Sequence, residues 1–194
     1  MKPAAVLLSA SFPGGDRGQE VAPYDVNQIA DACVHVARAL LRADMTIVFG
    51  AHPTISPLVL SLAAERNAKH HVAIHQSRWF DAEIPADTLR LQELGFGDIE
   101  WHDQGNDQAS SVRAMREAMI PGVDAGVFIG GMSGILEEAR IAQEAGARCF
   151  ALAGPGGAAR ALSQADGVQV FDGPKYPEIA ARIVDEILAS ATRD

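Results

Sequence analysis

The segment Gly130-Gly131-Met132-Ser133-Gly134-Ile135-Leu136-Glu137-Glu138 holds the residue types best placed to do chemistry. Three glycines within five residues let the chain turn tightly and present its N–H groups, and a helix starting there directs partial positive charge outward. Such a turn can hold an anion. Glu137 and Glu138 follow inside the helix, where a carboxylate can contact a ribose, act on a scissile glycosidic bond, or simply favour the helix N-terminus by charge. Adjacent helical residues diverge by about 100 degrees, so only one of the two is expected to face a ligand. Arg113 and Arg116 precede the turn, close enough in sequence for one guanidinium to reach it.

A second turn, Gly50-Ala51-His52-Pro53-Thr54-Ile55-Ser56-Pro57, offers free N–H groups, the hydroxyls of Thr54 and Ser56, and the imidazole of His52 as a phosphate cradle. Ser56 reads as a helix N-cap and Pro57 as the first helical residue. Near the N-terminus, Ser9 and Ser11 lead into Phe12-Pro13-Gly14-Gly15-Asp16-Arg17-Gly18, where Arg17 suits a phosphate and Asp16 a ribose hydroxyl. The candidate ligand-binding residues are therefore Ser9, Ser11, Arg17, Gly50, His52, Thr54, Ser56, Gly130, Gly131, Met132, Ser133 and Gly134. Neither a lysine-bearing P-loop nor the Gly-x-Gly-x-x-Gly dinucleotide spacing is present, which argues against a P-loop ATPase and an NAD-dependent dehydrogenase. His35, His70, His71, His75 and His102 share no metal-ligand spacing, and Cys33 and Cys149 read as buried apolar residues. Neither a metal nor another cofactor is expected.

These residues need a scaffold that gathers them. Short runs rich in Val, Ile, Phe and Leu alternate with Ala-rich segments of helical period, the pattern of a βαβ chain with a buried parallel sheet. Strands are expected at Ala4 to Ala10, Thr46 to Phe49, His71 to His75, Asp98 to His102, Ala125 to Ile129, Arg148 to Ala153 and Val168 to Phe171. Helices are expected from Val26 to Arg42, Leu58 to Asn67, Asp87 to Leu94, from an Asn106 or Asp107 cap to Met119, from the glycine turn to Ala145, and from Pro177 to Ala191. The predicted fold is α/β, a Rossmann-like open parallel sheet of six to seven strands with helices on both faces, forming one domain over residues 1–194. Four glycine- or hydroxyl-rich turns, after strands one, two, five and six, would converge on the carboxyl edge where open sheets bind ligands.

Composition agrees. A chain of 194 residues with 48% hydrophobic and 6% aromatic content suits one aliphatic core. The net charge of −9 argues against nucleic acid or an anionic membrane as the main partner. No apolar run approaches the roughly 18 residues of a membrane span, and a cytoplasmic protein is expected.

The run Val48 to Leu58 and the stretch Gly130 to Glu138 resemble, in the order and spacing of their turns, the SLOG superfamily. That group joins the Lonely Guy (LOG) phosphoribohydrolases, the Smf/DprA proteins and sensor domains of bacterial defence proteins. In LOG enzymes the motif Pro-Gly-Gly-x-Gly-Thr-x-x-Glu works with an arginine on the preceding helix to cleave the N-glycosidic bond of a nucleoside monophosphate. The resemblance implies Arg113 or Arg116 and Glu137 or Glu138 as catalytic residues if the chain hydrolyses. Here Gly130 stands in place of the proline-adjacent sequence, Met132-Ser133 adds one residue before Gly134, Ile135 replaces the threonine, and the first turn carries His52-Pro53-Thr54 instead of glycines. These departures favour a homo-oligomeric sensor or defence-associated module that binds a nucleotide or nucleotide-derived ligand of ADP-ribose type. The alternative implied is a LOG-like phosphoribohydrolase.

Overall fold

The computed structural model describes residues 3–103 and 105–191. Seven strands, β1 (Ala5–Ser11), β2 (Thr46–Gly50), β3 (Val72–Ser77), β4 (Asp98–His102), β5 (Ala125–Gly130), β6 (Arg148–Leu152) and β7 (Val168–Phe171), form one sheet in the order β4-β3-β2-β1-β5-β6-β7. All pairings are parallel. The chain starts in the middle, winds outward to β4, then crosses back to β5. The winding direction therefore reverses between β1 and β5, and the two connections leaving their carboxyl ends part to open a crevice there.

Among the described residues seven helices accompany the strands: α1 (Gly15–Gln19), α2 (Val26–Arg42), α3 (Ser56–Arg66), α4 (Ala86–Glu93), α5 (Gln108–Met119), α6 (Gly134–Glu144) and, after the last strand, α7 (Tyr176–Ala191). Side chains alternate across each strand, so β1 sends Val6 and Leu8 into the core under α2, α3 and α7, and Ala5 and Leu7 into the core under α5 and α6. Burial on both faces explains why the central strands are continuous apolar runs rather than alternating ones. No helix among the described residues is long and apolar enough to cross a membrane.

Helix α2 shows how local sequence sets an element. The Asp25 carboxylate accepts the N–H groups of Asn27 at 2.9 Å and Gln28 at 3.1 Å, and Ile29, Cys33, Val36, Ala37, Leu40 and Leu41 form its buried face. Asp107 likewise starts α5: it accepts from the Ser110 N–H at 2.7 Å while the Ser110 hydroxyl accepts from the Asp107 N–H at 3.2 Å. Burial pushes the Cys33 thiol up to about 12 and the Cys149 thiol up to about 11, which keeps both protonated and unreactive. Alkylation of the folded chain near neutral pH should leave both cysteines unlabelled, and unfolding in denaturant should expose both. Labelling of Cys33 in the native chain, read by mass spectrometry, would contradict this packing.

Two local expectations differ from the structure. Ser56 does not cap α3. The N–H groups of Ile55 and Ser56 already donate to the His52 carbonyl at 3.0 and 2.9 Å, and the buried Ser56 hydroxyl donates to that same oxygen at 2.9 Å. The turn satisfies itself through backbone, leaving the serine no capping role. The glycine-rich stretch Ser11 to Gly18, which reads as a loop, contains the short helix α1; after β3 a 3-10 turn spans Arg78–Glu83, and its Trp79 N–H donates to the Ser77 hydroxyl at 3.0 Å.

Candidate functional site at the sheet switch point

The crevice beyond the carboxyl ends of β1, β2 and β5 is a cleft of about 830 Å³. It is lined by Ser9, Ser11 and Gly50 at the strand ends, by Arg113 and Arg116 of α5 with the start of α6, and by Gln76, Ser77 and Phe80. Arg17, His52, Ser56, Met132, Ser133, Gly134, Glu137 and Glu138 also line it.

The turn after β5 is built to expose N–H groups. Gly130 and Gly131 adopt φ of +61° and +68°, the left-handed region that favours glycine, and a Cβ on Gly130 would sit 2.6 Å from Ile29 Cδ1. The Gly131 N–H donates to the Ser11 carbonyl at 2.9 Å, and the Gly131 carbonyl accepts from Ala158 at 3.0 Å, which anchors the turn to both neighbouring loops. Among the described residues, the next three N–H groups, those of Met132, Ser133 and Gly134, meet no protein acceptor, and they open α6 at the cleft. Unpaired donors at a helix N-terminus carry the positive end of its dipole and form an anion site.

Beside this turn lies a chain of charges. Arg116 donates from Nε to Glu138 Oε1 at 2.9 Å and from Nη1 to Glu137 Oε2 at 2.5 Å. The Ser9 hydroxyl donates to Glu138 Oε2 at 2.5 Å, and Arg113 Nε lies 3.9 Å from Glu137 Oε1. The Arg116 guanidinium also occupies the space a side chain on Gly134 would fill, so the glycine at 134 serves the arginine as well as the turn. Both glutamates therefore face the cleft, against the expectation of one. Their splay on α6 is spanned by a guanidinium that offers different N–H groups to different acceptors. The side chains of Arg116 and Glu138 are only 16% and 15% exposed, so neither charge is left to water alone.

A second expectation needs correcting. Gly130 to Glu138 spans nine positions, as many as Pro-Gly-Gly-x-Gly-Thr-x-x-Glu, and Glu138 follows Gly134 by four residues as the glutamate follows the third glycine there. The departures are substitutions, with no added residue before Gly134. Of the two carboxylates, Glu138 is the one that bridges Arg116 to the strand end through Ser9.

The turn after β2 offers less than its sequence suggests. The N–H groups of Ile55 and Ser56 are consumed within the turn, and exposed Thr54 pairs its hydroxyl with His52 Nδ1 at 2.8 Å without lining the cleft. Gly50, His52 and Ser56 do line it. The turn after β6, in contrast, does not reach the cleft: Gly157 packs against the backbone of Gly130. Asp16 and Trp79 also stand outside the lining, whereas Arg17 and Phe80 are in it.

Sequence reasoning missed Gln76, Glu83, Gln108 and Val112 as cleft residues. Gln76 lies one residue beyond the expected end of its strand; it is 4% exposed, and its side-chain amide donates to the Ser77 carbonyl at 3.0 Å. Sequence reasoning missed a second gathering too. Parallel pairing of β3 and β4 sets His75 opposite Glu100 and brings in His102, with the two imidazole centroids 5.1 Å apart and 20° between planes. Burial lowers the His75 pKa, the Glu100 carboxylate opposes that, and His102 adds to it. The spacing in sequence could not show this.

A doubly wound parallel sheet whose switch point carries a glycine turn with free N–H groups and an arginine–glutamate pair defines a Rossmann-like α/β class. Within that class the chain belongs to the SLOG cluster3 family, whose model it matches over residues 22–178. Its fold is similar to the X-ray structure of TM1055, at 19% identity and a TM-score of 0.66, covering 94% of this chain and 99% of that one. It is also similar to the molybdenum cofactor carrier protein MCP from Chlamydomonas reinhardtii, at 14% identity and a TM-score of 0.59, covering 97% and 99%. No curated protein matches the chain.

Proposed function

We propose that the cleft binds a nucleotide or nucleotide-derived ligand of ADP-ribose type, with a phosphate on the N–H groups of Met132, Ser133 and Gly134. Those three unpaired donors at the start of α6 are the observation that carries the reading. Other features support it. The Arg113 side chain is 69% exposed and only loosely paired, so it is free to meet a second phosphate, and Arg17 lines the same cleft. Phe80, Ile84, Pro85 and Val112 supply an apolar wall against which a base can lie. A cleft of about 830 Å³ falls within the usual range for sites that enclose such ligands.

Calorimetry with AMP, ADP, ADP-ribose and adenosine tests this. Saturable binding is expected for the phosphorylated compounds, with adenosine weaker by at least about tenfold because it makes none of the charge-assisted bonds. The absence of saturable heat across the panel would reject the assignment.

One observation favours a hydrolytic second reading: Glu138 is linked to both Arg116 and Ser9 at the position where LOG enzymes carry their glutamate. Glu138 would then stabilise an oxocarbenium-like transition state or activate water, while Arg116 orients the phosphate. Chromatography of nucleoside monophosphates incubated with the protein would show base release that stops in Glu138→Gln. If wild type releases no more base than a protein-free blank, the cleft only binds.

A further inference from the structure

We propose that His75, Glu100 and His102 form a binding site for a divalent transition metal of the zinc type, on the edge of the sheet and separate from the nucleotide cleft. None of the three lines that cleft. His75 Nδ1 and His102 Nε2 lie 2.9 Å apart, and the Glu100 carboxylate oxygens lie 3.9 Å from each of them, so three ligand atoms from adjacent strands surround one point.

Metal bonds of about 2.0–2.2 Å in tetrahedral geometry place donor atoms about 3.3 Å apart, between the two separations observed. Accommodating an ion needs the proton between the two imidazoles to leave, the rings to turn so that both nitrogens face the ion, and the carboxylate to close by about half an ångström. Glu100 can make that movement because its side chain is 65% exposed. The imidazoles supply the rigidity: His75 is 8% exposed, and its ring meets that of His102 edge to edge through the hydrogen bond between Nδ1 and Nε2. Two nitrogens and one carboxylate suit zinc, cobalt or nickel, whereas magnesium and calcium favour an all-oxygen set. The ion would clip β4 to β3, and the exposed side of Glu100 leaves a coordination position for water.

The test uses the full chain without a histidine tag, stripped with chelator and titrated with Co(II), then with Zn(II) as competitor. One Co(II) per chain with visible ligand-field bands is expected. Zinc at a hundredfold excess over its Kd should raise the melting temperature by about 5–10 °C. Glu100→Gln and His102→Ala should each weaken uptake by at least about tenfold, taking loss of a supporting metal partner as the lower bound. Glu100→Gln alters an exposed side chain, so its effect cannot be ascribed to unfolding. The proposal fails if wild type takes up neither ion below millimolar concentration. It fails equally if both variants bind as wild type does, since the ion would then sit on other histidines.

Discussion

Replacing Arg116 with alanine should weaken the proposed nucleotide binding by about a hundredfold or more, the largest affinity loss expected from any single change in the cleft. Two effects add. The substitution removes a cation next to the turn proposed to hold the phosphate, and it leaves Glu137 and Glu138 without the guanidinium that donates to them at 2.5 and 2.9 Å. With Arg113 and Arg116 against Glu137 and Glu138 the local formal charge is zero, and without Arg116 it is −1 beside the incoming phosphate. Unpaired carboxylates in a half-buried site also cost stability, on the order of 1–3 kcal/mol. Arg116→Lys separates charge from geometry, because an ammonium restores the cation but lacks the planar fork of a guanidinium. Calorimetry should rank wild type above lysine above alanine, and an alanine variant of unchanged affinity would remove Arg116 from the site.

Gly157→Ala should cost about 2–4 kcal/mol of stability, although residue 157 lies outside the cleft lining. Its φ of +70° is strained for any residue with a side chain, and a Cβ there would lie 2.7 Å from the carbonyl carbon and 2.8 Å from the oxygen of Gly130. The neighbour is backbone, so no side-chain rotation relieves the contact. The β5 turn must move, and with it the N–H groups of Met132, Ser133 and Gly134. The expected result is a melting temperature lower by about 5–15 °C together with weakened nucleotide binding. Gly146→Ala is the control, since Gly146 has a φ of +82° but open space where its Cβ would stand, leaving strain without collision. Equal melting temperatures for the two variants would show that the collision is absorbed and that the β6 turn does not hold the β5 turn in place.

Gly157 also marks how far the sequence was legible. Its residue type announces a turn after β6, and that turn exists, yet nothing near it in sequence says that it faces Gly130 rather than a ligand. Strands, by contrast, were legible almost to the residue: β4 and β7 and helix α2 have the bounds their patterns predict. Their signals are short-range, arising from apolar period, β-branched content and capping groups within a few residues. Ser56 failed on equally local grounds, because the helix already includes it and its hydroxyl turns back to donate to the His52 carbonyl.

The sequence by itself determined the α/β class, the strands and helices, and the glycine turn with its two glutamates, since each follows from preferences between near neighbours. Only the tertiary structure decided what that turn works with. Ser9 and Glu138 are 129 positions apart, Arg116 and Glu138 22 apart, and His75 and His102 27 apart, and each pair meets through strand order, register and helix packing. Those are set by burying both faces of one sheet at once, a condition on the whole chain that no local pattern encodes.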